Sequence, residues 1–249
     1  MEIKGPDTIV HQIKILTTFG LTKSAITDHL EGFDRKFPRI KVVSRVKFPE
    51  IQVKLFADGT DEGKVQAQLE AATRWTHQRL GNNVISDSGE SMGKAVGNLL
   101  RQNAANLALA ESCTGGLIAD LLTNVPGSSD YFVFSAVTYS NQLKIKILDV
   151  DARTLNRYGA VSEQTAKEMA RGVQQVSSAT YGLSVSGIAG PGGATQDKPV
   201  GTVCIGLADA NSVHGYRFNF RSENRWMYKH VFATAALDLL RRELLGIGR

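Results

Sequence analysis

The turn AESCTGG, residues 110–116, constrains the fold of this chain more than any other stretch. Residues 107–110 are apolar and suit a buried strand, whereas residues 117–122 carry apolar side chains at helical spacing. The two glycines let the backbone approach a ligand, and the unpaired N–H groups of a new helix favour an anion. The sequence therefore predicts an α/β fold with a ligand-binding turn here. A tight strand-to-helix connection without a ligand is the alternative.

The composition is that of an ordinary globular chain. Its 249 residues, 42% of them hydrophobic, indicate one or two domains with a substantial core. The longest uncharged stretch, residues 172–196, contains Gly, Pro, Ser and Thr and does not suit a membrane span. The first residues are charged and do not resemble a signal peptide, so we expect a cytoplasmic protein.

Metal ions and cofactors are not predicted. The two cysteines, Cys113 and Cys204, lie far apart in sequence and have no His or Cys at ligand spacing, which indicates neither a zinc site nor a disulfide. Residues 35–47 hold six basic residues and no acidic one, a run that can follow a phosphate backbone. Such runs are more often solvated faces, and because no GxxG loop accompanies this one, nucleic-acid binding is not expected.

The chain divides into two predicted segments. Residues 1–87 show a small α/β pattern in the order helix, strand, strand, helix, and the polar turn 86–90 ends it. Residues 88–249 alternate strand and helix, which predicts a mixed sheet flanked by helices. Its predicted elements are a helix starting after Ser91, strands at 107–110 and 131–139, a helix from Ser162 to 176, strands at 181–186, 201–208 and 215–220, and a closing helix containing Phe232 and Leu239.

Hydroxyl groups and glycines concentrate in four loops at the ends of predicted strands. The loops are AESCTGG, PGSSDY (126–131), TYSNQLK (138–144) and SGIAGPGG (186–193). None contains His, and a GxSxG elbow is absent, so a Ser-His-Asp triad has no base. Lys144 and Lys146 are the candidate bases for a serine nucleophile, provided that burial keeps the amine neutral. Spacing does not choose between them, and two solvated charges are the alternative.

Six motifs occur in one order along residues 91–249: AESCTGG, VPGSS, VTYSNQLK, GAVSEQTAKEMA, SGIAGPGG and KPVGTV. Together they resemble the C-terminal domain of the CinA (competence/damage-inducible protein) family, the nicotinamide mononucleotide deamidases. The resemblance implies a three-layer α/β/α domain with a mixed sheet at 88–249. Residues 1–87 resemble, through TFGLTKSAITDHL and RLGNNVISDSGE, the small KH-like α/β domain of longer members. The molybdopterin-binding-like domain of those members has no counterpart, so we expect a truncated form or a cloned fragment.

The same resemblance implies a serine amidohydrolase that converts nicotinamide mononucleotide and water to nicotinate mononucleotide and ammonia. It assigns Ser129 as nucleophile and Lys144 as general base, with Tyr139 assisting proton transfer or holding the lysine. It assigns substrate contacts to Ser112, Thr114, Gly115, Gly116, Ser186, Gly187, Gly190, Gly192 and Arg225. Because SENRW departs from the family's GDR, Arg221 is the alternative to Arg225. Cys113 is interpreted as a packing residue, since no basic residue adjoins it.

Relatives form dimers, so a homodimer is also expected. An apolar surface from Leu239, Leu240, Leu244 and Leu245 is one candidate interface, although these residues suit an intramolecular core equally well. Two other functions stay open: a non-catalytic nucleotide-binding module and a KH-like nucleic-acid binder. Ammonia release from nicotinamide mononucleotide separates the enzyme from both.

Overall fold

A computed structural model describes residues 9–247, and the chain splits into two compact units between Ser91 and Met92. The predicted boundary after residue 87 lies four residues before this division, in the same polar linker. That the first unit is a KH-like domain stays a prediction.

The first unit is an antiparallel sheet with helices packed against it. Its strands, in the spatial order β2-β3-β1-β4, are β1 (Val10–Thr18), β2 (Ile40–Lys47), β3 (Glu50–Gly59) and β4 (Val84–Ser86). The helices are α1 (Lys23–His29), α2 (Phe33–Lys36) and α3 (Glu62–Leu80). Thr22 and Asp61 cap α1 and α3 through their side-chain oxygens. The predicted helix-strand-strand-helix order is confirmed, and the structure adds β1 before it, the short helix α2 after its first helix, and β4 after it.

The second unit is a five-stranded mixed sheet in the order β6-β5-β7-β8-β9. Strands β5, β6 and β7 are parallel, whereas β8 and β9 are antiparallel to their neighbours. Its strands are β5 (Leu107–Glu111), β6 (Phe132–Val137), β7 (Tyr181–Gly187), β8 (Thr202–Ala208) and β9 (Val213–Asn219). Its helices are α4 (Met92–Gln102), α5 (Leu117–Thr123), α6 (Asn141–Leu148), α7 (Ala152–Tyr158), α8 (Glu163–Ser177) and α9 (Arg225–Leu244).

Helices cover both faces of this sheet. Helix α8 packs on the strands and contacts α6 and α7, while α4, α5 and α9 pack together and α9 contacts β7 and β8. Close approach of α8 explains Gly182 of β7, where an added Cβ would lie 2.1 Å from the carbonyl oxygen of Ala170. The predicted mixed α/β architecture is confirmed. Leu239 and Leu240 are buried within this unit, so they belong to the intramolecular core.

The parallel strands determine where a site can form. Glu111 at the end of β5 pairs with Val137 at the end of β6 and with Val185 near the end of β7. The carboxyl ends of the three strands therefore lie along one edge of the sheet, and the loops that follow them converge there. Over residues 9–247, the helices include none that is both long enough and apolar enough to cross a bilayer.

Candidate active site

Lys144 is buried at the edge where the parallel strands end. Ser140 caps α6 by accepting a hydrogen bond from the Leu143 N–H, and the first turn of the helix then directs Lys144 inward, with 1% of its surface exposed. Its Nζ donates to the carbonyl oxygen of Thr138 at 2.8 Å and to that of Tyr139 at 3.2 Å. Burial lowers the pKa of the Lys144 amine below its ordinary value. A buried amine with a lowered pKa is suited to accept a proton.

Lys146 lies in a different environment. Two residues further along α6, it points to solvent and is exposed. Of the two candidate lysines, only Lys144 therefore reaches the buried edge of the sheet.

Ser112 is the hydroxyl that the structure brings to Lys144. It follows the last residue of β5, and its N–H donates to the carbonyl oxygen of Val185 at 3.0 Å, which extends the β5–β7 pairing by one residue. Its Oγ accepts a hydrogen bond from Lys144 Nζ at 3.2 Å. Ser112 and Lys144 thus form a buried serine–lysine pair, a contact that spacing in the sequence did not reveal.

The pair lies in a cleft of about 280 Å³. Its walls come from the loops after β5, β6 and β7, from the segment between α7 and α8, and from the start of α9. The lining residues are Ser112, Cys113, Tyr139, Lys144, Ala160, Val161, Ser186, Gly187, Ile188, Ala189, Gly190, Gly192, Gly193 and Arg225. This lining includes no carboxylate and no histidine. In the described part of the chain, no group of three or more His, Cys, Asp or Glu residues is placed to hold a metal ion.

Arg225 and Tyr139 meet at the mouth of the cleft. Asn224 caps α9 and makes Arg225 its first residue. The Arg225 guanidinium donates to the carbonyl oxygen of Gly190 at 2.7 Å and to the Tyr139 hydroxyl at 3.2 Å. Arg221 is not among the residues that line the cleft in the described chain. Of the two arginines left open by the SENRW sequence, the structure brings Arg225 into the cleft.

Ser186 supports the wall of the cleft that Ala160 and Val161 form. Its buried hydroxyl donates to the carbonyl oxygen of Ala160 at 2.7 Å. Ser162 and Thr165 donate to the carbonyl oxygen of Gly159, so three hydroxyls fix this segment. Ala160 and Val161 then present an apolar wall to the cleft. The motif GAVSEQTAKEMA contains both residues, but no role was predicted for either.

Glu111 is a residue that the sequence reasoning missed. Its carboxylate is fully buried and accepts hydrogen bonds from the N–H groups of Gly116, Ile118 and Ala119 at 3.1, 3.1 and 2.9 Å. These N–H groups begin α5, so Glu111 caps that helix from within the strand before it. The N–H groups expected to bind an anion are therefore already occupied.

The predicted substrate contacts of Thr114, Gly115 and Gly116 need correction as a consequence. Thr114 is completely buried, and none of the three residues lines the cleft in the described chain. Ser112, Ser186, Gly187, Gly190, Gly192 and Arg225 do line it, as does Tyr139.

The predicted pairing of Ser129 with Lys144 is also wrong within one chain. Ser129 is exposed in the 3₁₀ turn Ser128–Asp130, which precedes β6, whereas Lys144 follows that strand. Arg101, near the end of α4, donates to Asp130 and to the carbonyl oxygen of Gly127, which holds the turn at the amino end of the sheet. A six-residue strand spans roughly 20 Å, so the two side chains lie at opposite edges.

Cys113 follows Ser112 and has the properties of a packing residue. Its side chain is buried, and burial raises the pKa of the thiol to about 12. At neutral pH the group is therefore a protonated thiol and a poor nucleophile.

Comparison with known proteins identifies the family. The model of the CinA C-terminal domain matches residues 89–244. The chain belongs to the CinA family. A CinA-like protein of Desulfosudis oleivorans is 47% identical over 243 residues, covering 98% of this chain and 59% of the relative. One from Desulforapulum autotrophicum is 48% identical over 235 residues, covering 94% and 56%. This CinA family member therefore spans less than two thirds of these relatives.

Solved structures agree with this assignment. The competence/damage inducible protein CihA from Agrobacterium tumefaciens is 37% identical, with a TM-score of 0.58, over 60% of this chain and 91% of that one. A CinA superfamily protein from Klebsiella pneumoniae is 28% identical, with a TM-score of 0.60, over 63% and 99%. These names specify a family and no reaction.

Proposed function

We propose that this CinA family member is an amidohydrolase that converts nicotinamide mononucleotide and water to nicotinate mononucleotide and ammonia. The observation that carries the proposal is the buried Lys144 amine, 3.2 Å from the Ser112 hydroxyl in an open cleft. Ser112 takes the role of nucleophile that the sequence resemblance implies for Ser129.

The first chemical step is acyl transfer to Ser112. Neutral Lys144 accepts the proton of the Ser112 hydroxyl while Oγ attacks the carboxamide carbon and forms the new C–O bond. The carbonyl oxygens of Thr138 and Tyr139 hold Nζ in place for this transfer. The resulting ammonium then protonates the amide nitrogen, the C–N bond breaks, and ammonia leaves with an acyl-serine remaining.

Hydrolysis of the acyl-serine completes the cycle. Lys144, neutral again, removes a proton from a water molecule that attacks the ester carbon, and it returns a proton to Ser112 as the second C–O bond breaks. Both steps pass through an oxyanion. Backbone N–H groups along Gly187–Gly193, on the opposite side of the cleft, are the candidate donors to that oxygen.

The lining of the cleft fits a substrate with a flat apolar ring and a negative charge. Ala160, Val161 and Ile188 offer an apolar wall for the ring. Arg225 supplies a positive charge at the mouth, where a phosphate would meet no carboxylate among the lining residues. With the N-terminus of α5 closed by Glu111, Arg225 and the glycine loop are the proposed phosphate contacts.

Ammonia release tests this function. The purified chain is incubated with nicotinamide mononucleotide, and ammonia is followed by a coupled enzymatic assay with nicotinamide alone as a second substrate. We expect release from the mononucleotide and little from nicotinamide, which lacks the phosphate. If the mononucleotide binds in calorimetry but no ammonia appears, the chain is a nucleotide-binding module and the proposal is wrong.

A further inference from the structure

One face of the antiparallel sheet in the first unit is left open by the described helices of that unit. Successive side chains of a strand point to opposite faces, and Leu16 and Val53 belong to the same core cluster as Val65 of α3. The other face carries the odd-numbered residues of β1 and β2 and the even-numbered residues of β3. We define the open sheet face by Ile13 of β1, Lys41, Val43 and Arg45 of β2, and Lys54 and Phe56 of β3.

Three cations lie on the open sheet face. Lys54 of β3 is opposite the residue midway between Lys41 and Arg45 of β2, and such diagonal neighbours are roughly 7–8 Å apart. None of the three makes an ion pair with a residue in the range 9–247. The acidic residues of β1, β2 and β3, Glu50 and Asp58, lie at the two ends of β3. The centre of the face therefore carries a net positive charge.

An aromatic ring lies among these cations. Phe56 is half-buried and is flanked in the register by Lys41 of β2 and by Ile13 of β1, which is 56% exposed. Strand β2 has basic residues but no aromatic one, so the pairing of strands brings the two types of side chain together. Rings on an open sheet stack with unpaired bases, and neighbouring Lys and Arg side chains bind phosphates.

We propose that the open sheet face binds single-stranded nucleic acid. Lys41, Arg45 and Lys54 contact phosphates, and one base stacks on Phe56. A duplex keeps the faces of its bases covered, and an acidic polypeptide needs the cations only, so the ring favours a single strand over both. The proposal concerns the first unit and does not depend on the reaction proposed for the cleft.

Fluorescence anisotropy of the full chain with labelled oligothymidylate and oligouridylate of equal length measures this binding. We expect both to bind more tightly than a duplex with the same number of phosphates. Three phosphate contacts predict a slope of about −2 for the logarithm of the binding constant against the logarithm of the salt concentration. A preference for one of the two oligonucleotides would identify the sugar of the natural strand. Absence of binding at low salt, or equal binding of the duplex, overturns the proposal.

The triple variant Lys41→Gln, Arg45→Gln, Lys54→Gln tests the phosphate contacts. We expect the affinity at low salt to fall about tenfold or more and the salt slope to approach zero, because the released counterions came from these contacts. Circular dichroism checks that the variant is folded.

A second triple variant separates the open sheet face from the net charge of the chain. It removes three exposed cations from the helices of the first unit: Lys23→Gln, Lys64→Gln and Arg74→Gln. Both triple variants have the same net charge, and we expect this one to bind with nearly wild-type affinity. Equal losses in the two would show that binding follows net charge alone and would contradict the proposed face.

Phe56→Leu tests the stacked base and decides the matter if the first triple variant does not fold. We expect roughly a tenfold loss of affinity with an unchanged salt slope, because stacking on an aromatic ring is lost while the phosphate contacts remain. Ile13→Leu, a change beside Phe56 on the same face, is the matched control and should bind like the wild type. Wild-type affinity of Phe56→Leu, or equally strong competition by polyglutamate, would assign the face to acidic polymers in general and refute the proposal.

Discussion

Lys144 Nζ lies 3.2 Å from Ser112 Oγ, although the two residues are 32 positions apart in the chain. Ser112 directly follows β5, and Lys144 is in the first turn of α6, which follows β6. The two strands are parallel neighbours, so the residues that follow them share one edge of the sheet. The relationship therefore follows from the order of the parallel strands in the sheet.

Replacing Lys144 by Met removes the proposed base while keeping the apolar stem. We expect kcat/KM for nicotinamide mononucleotide to fall by roughly two to four orders of magnitude, the usual contribution of a general base. Lys146→Met is the matched control and should keep nearly wild-type activity, since Lys146 is exposed. An inactive Lys146 variant beside an active Lys144 variant would reverse the assignment.

The pH dependence of stability provides a test of Lys144 that does not need substrate. Folding lowers the pKa of this amine, so between the lowered pKa and the ordinary pKa of ~10.4 the unfolded chain binds more protons than the folded chain. The free energy of unfolding therefore rises with pH in that window. Relative to Lys144→Met, wild-type stability should increase from neutral to alkaline pH, measured by urea titration at several pH values. Parallel pH curves for the two proteins would show that the native amine has an ordinary pKa.

Replacing Glu111 by Gln weakens the cap of α5. The carboxylate accepts three N–H bonds while fully buried, and hydrogen bonds to charged acceptors contribute about 1.5–3 kcal/mol each in favourable cases. We expect a loss of roughly 2 kcal/mol in the free energy of unfolding and a lower kcat, because Ser112 adjoins Glu111. Asp120→Asn, an exposed change on α5, should alter stability by less than about 0.5 kcal/mol. Equal losses in the two variants would contradict the capping role.

Arg225 is expected to act on substrate binding more than on chemistry. Its guanidinium lies at the cleft mouth, where it donates hydrogen bonds to Gly190 and Tyr139. The side-chain partner of Lys144 Nζ is instead Ser112. Arg225→Gln should raise KM for nicotinamide mononucleotide about tenfold or more, with a smaller fall in kcat. Arg221→Gln is the control. If Arg221→Gln raises KM and Arg225→Gln does not, the phosphate contact has been misplaced.

Sequence patterns predicted most of the second unit because its elements are amphipathic or wholly apolar. Strand β5 is buried along its whole length, and Ser162 caps α8 at the predicted residue. In the first unit, β4 has only three residues, and β1 mixes charged and apolar positions. Neither strand therefore shows a clear alternation of apolar and polar residues in the sequence. These short or mixed strands depend on pairing with β3 or β1 for their formation.

The site was harder to predict than the fold. The helical pattern alone does not distinguish Lys144 from Lys146. Only in the folded domain, where α6 packs against α8, does Lys144 become buried while Lys146 stays exposed. The Ser129 assignment, by contrast, conflicted with the predicted strand at 131–139, which already separates that serine from Lys144. The role of Glu111 depends on the exact path of the turn after β5, and residue type alone does not reveal it.

The most direct measurement of the central claim is the rate of ammonia release from nicotinamide mononucleotide by Ser112→Ala, with Cys113→Ala beside it. The Ser112 variant should be inactive and folded, because its hydroxyl is the proposed nucleophile. The Cys113 variant should keep most activity, because burial holds the pKa of that thiol at about 12. Substantial turnover by Ser112→Ala would show that the Ser112–Lys144 pair is not the catalytic centre.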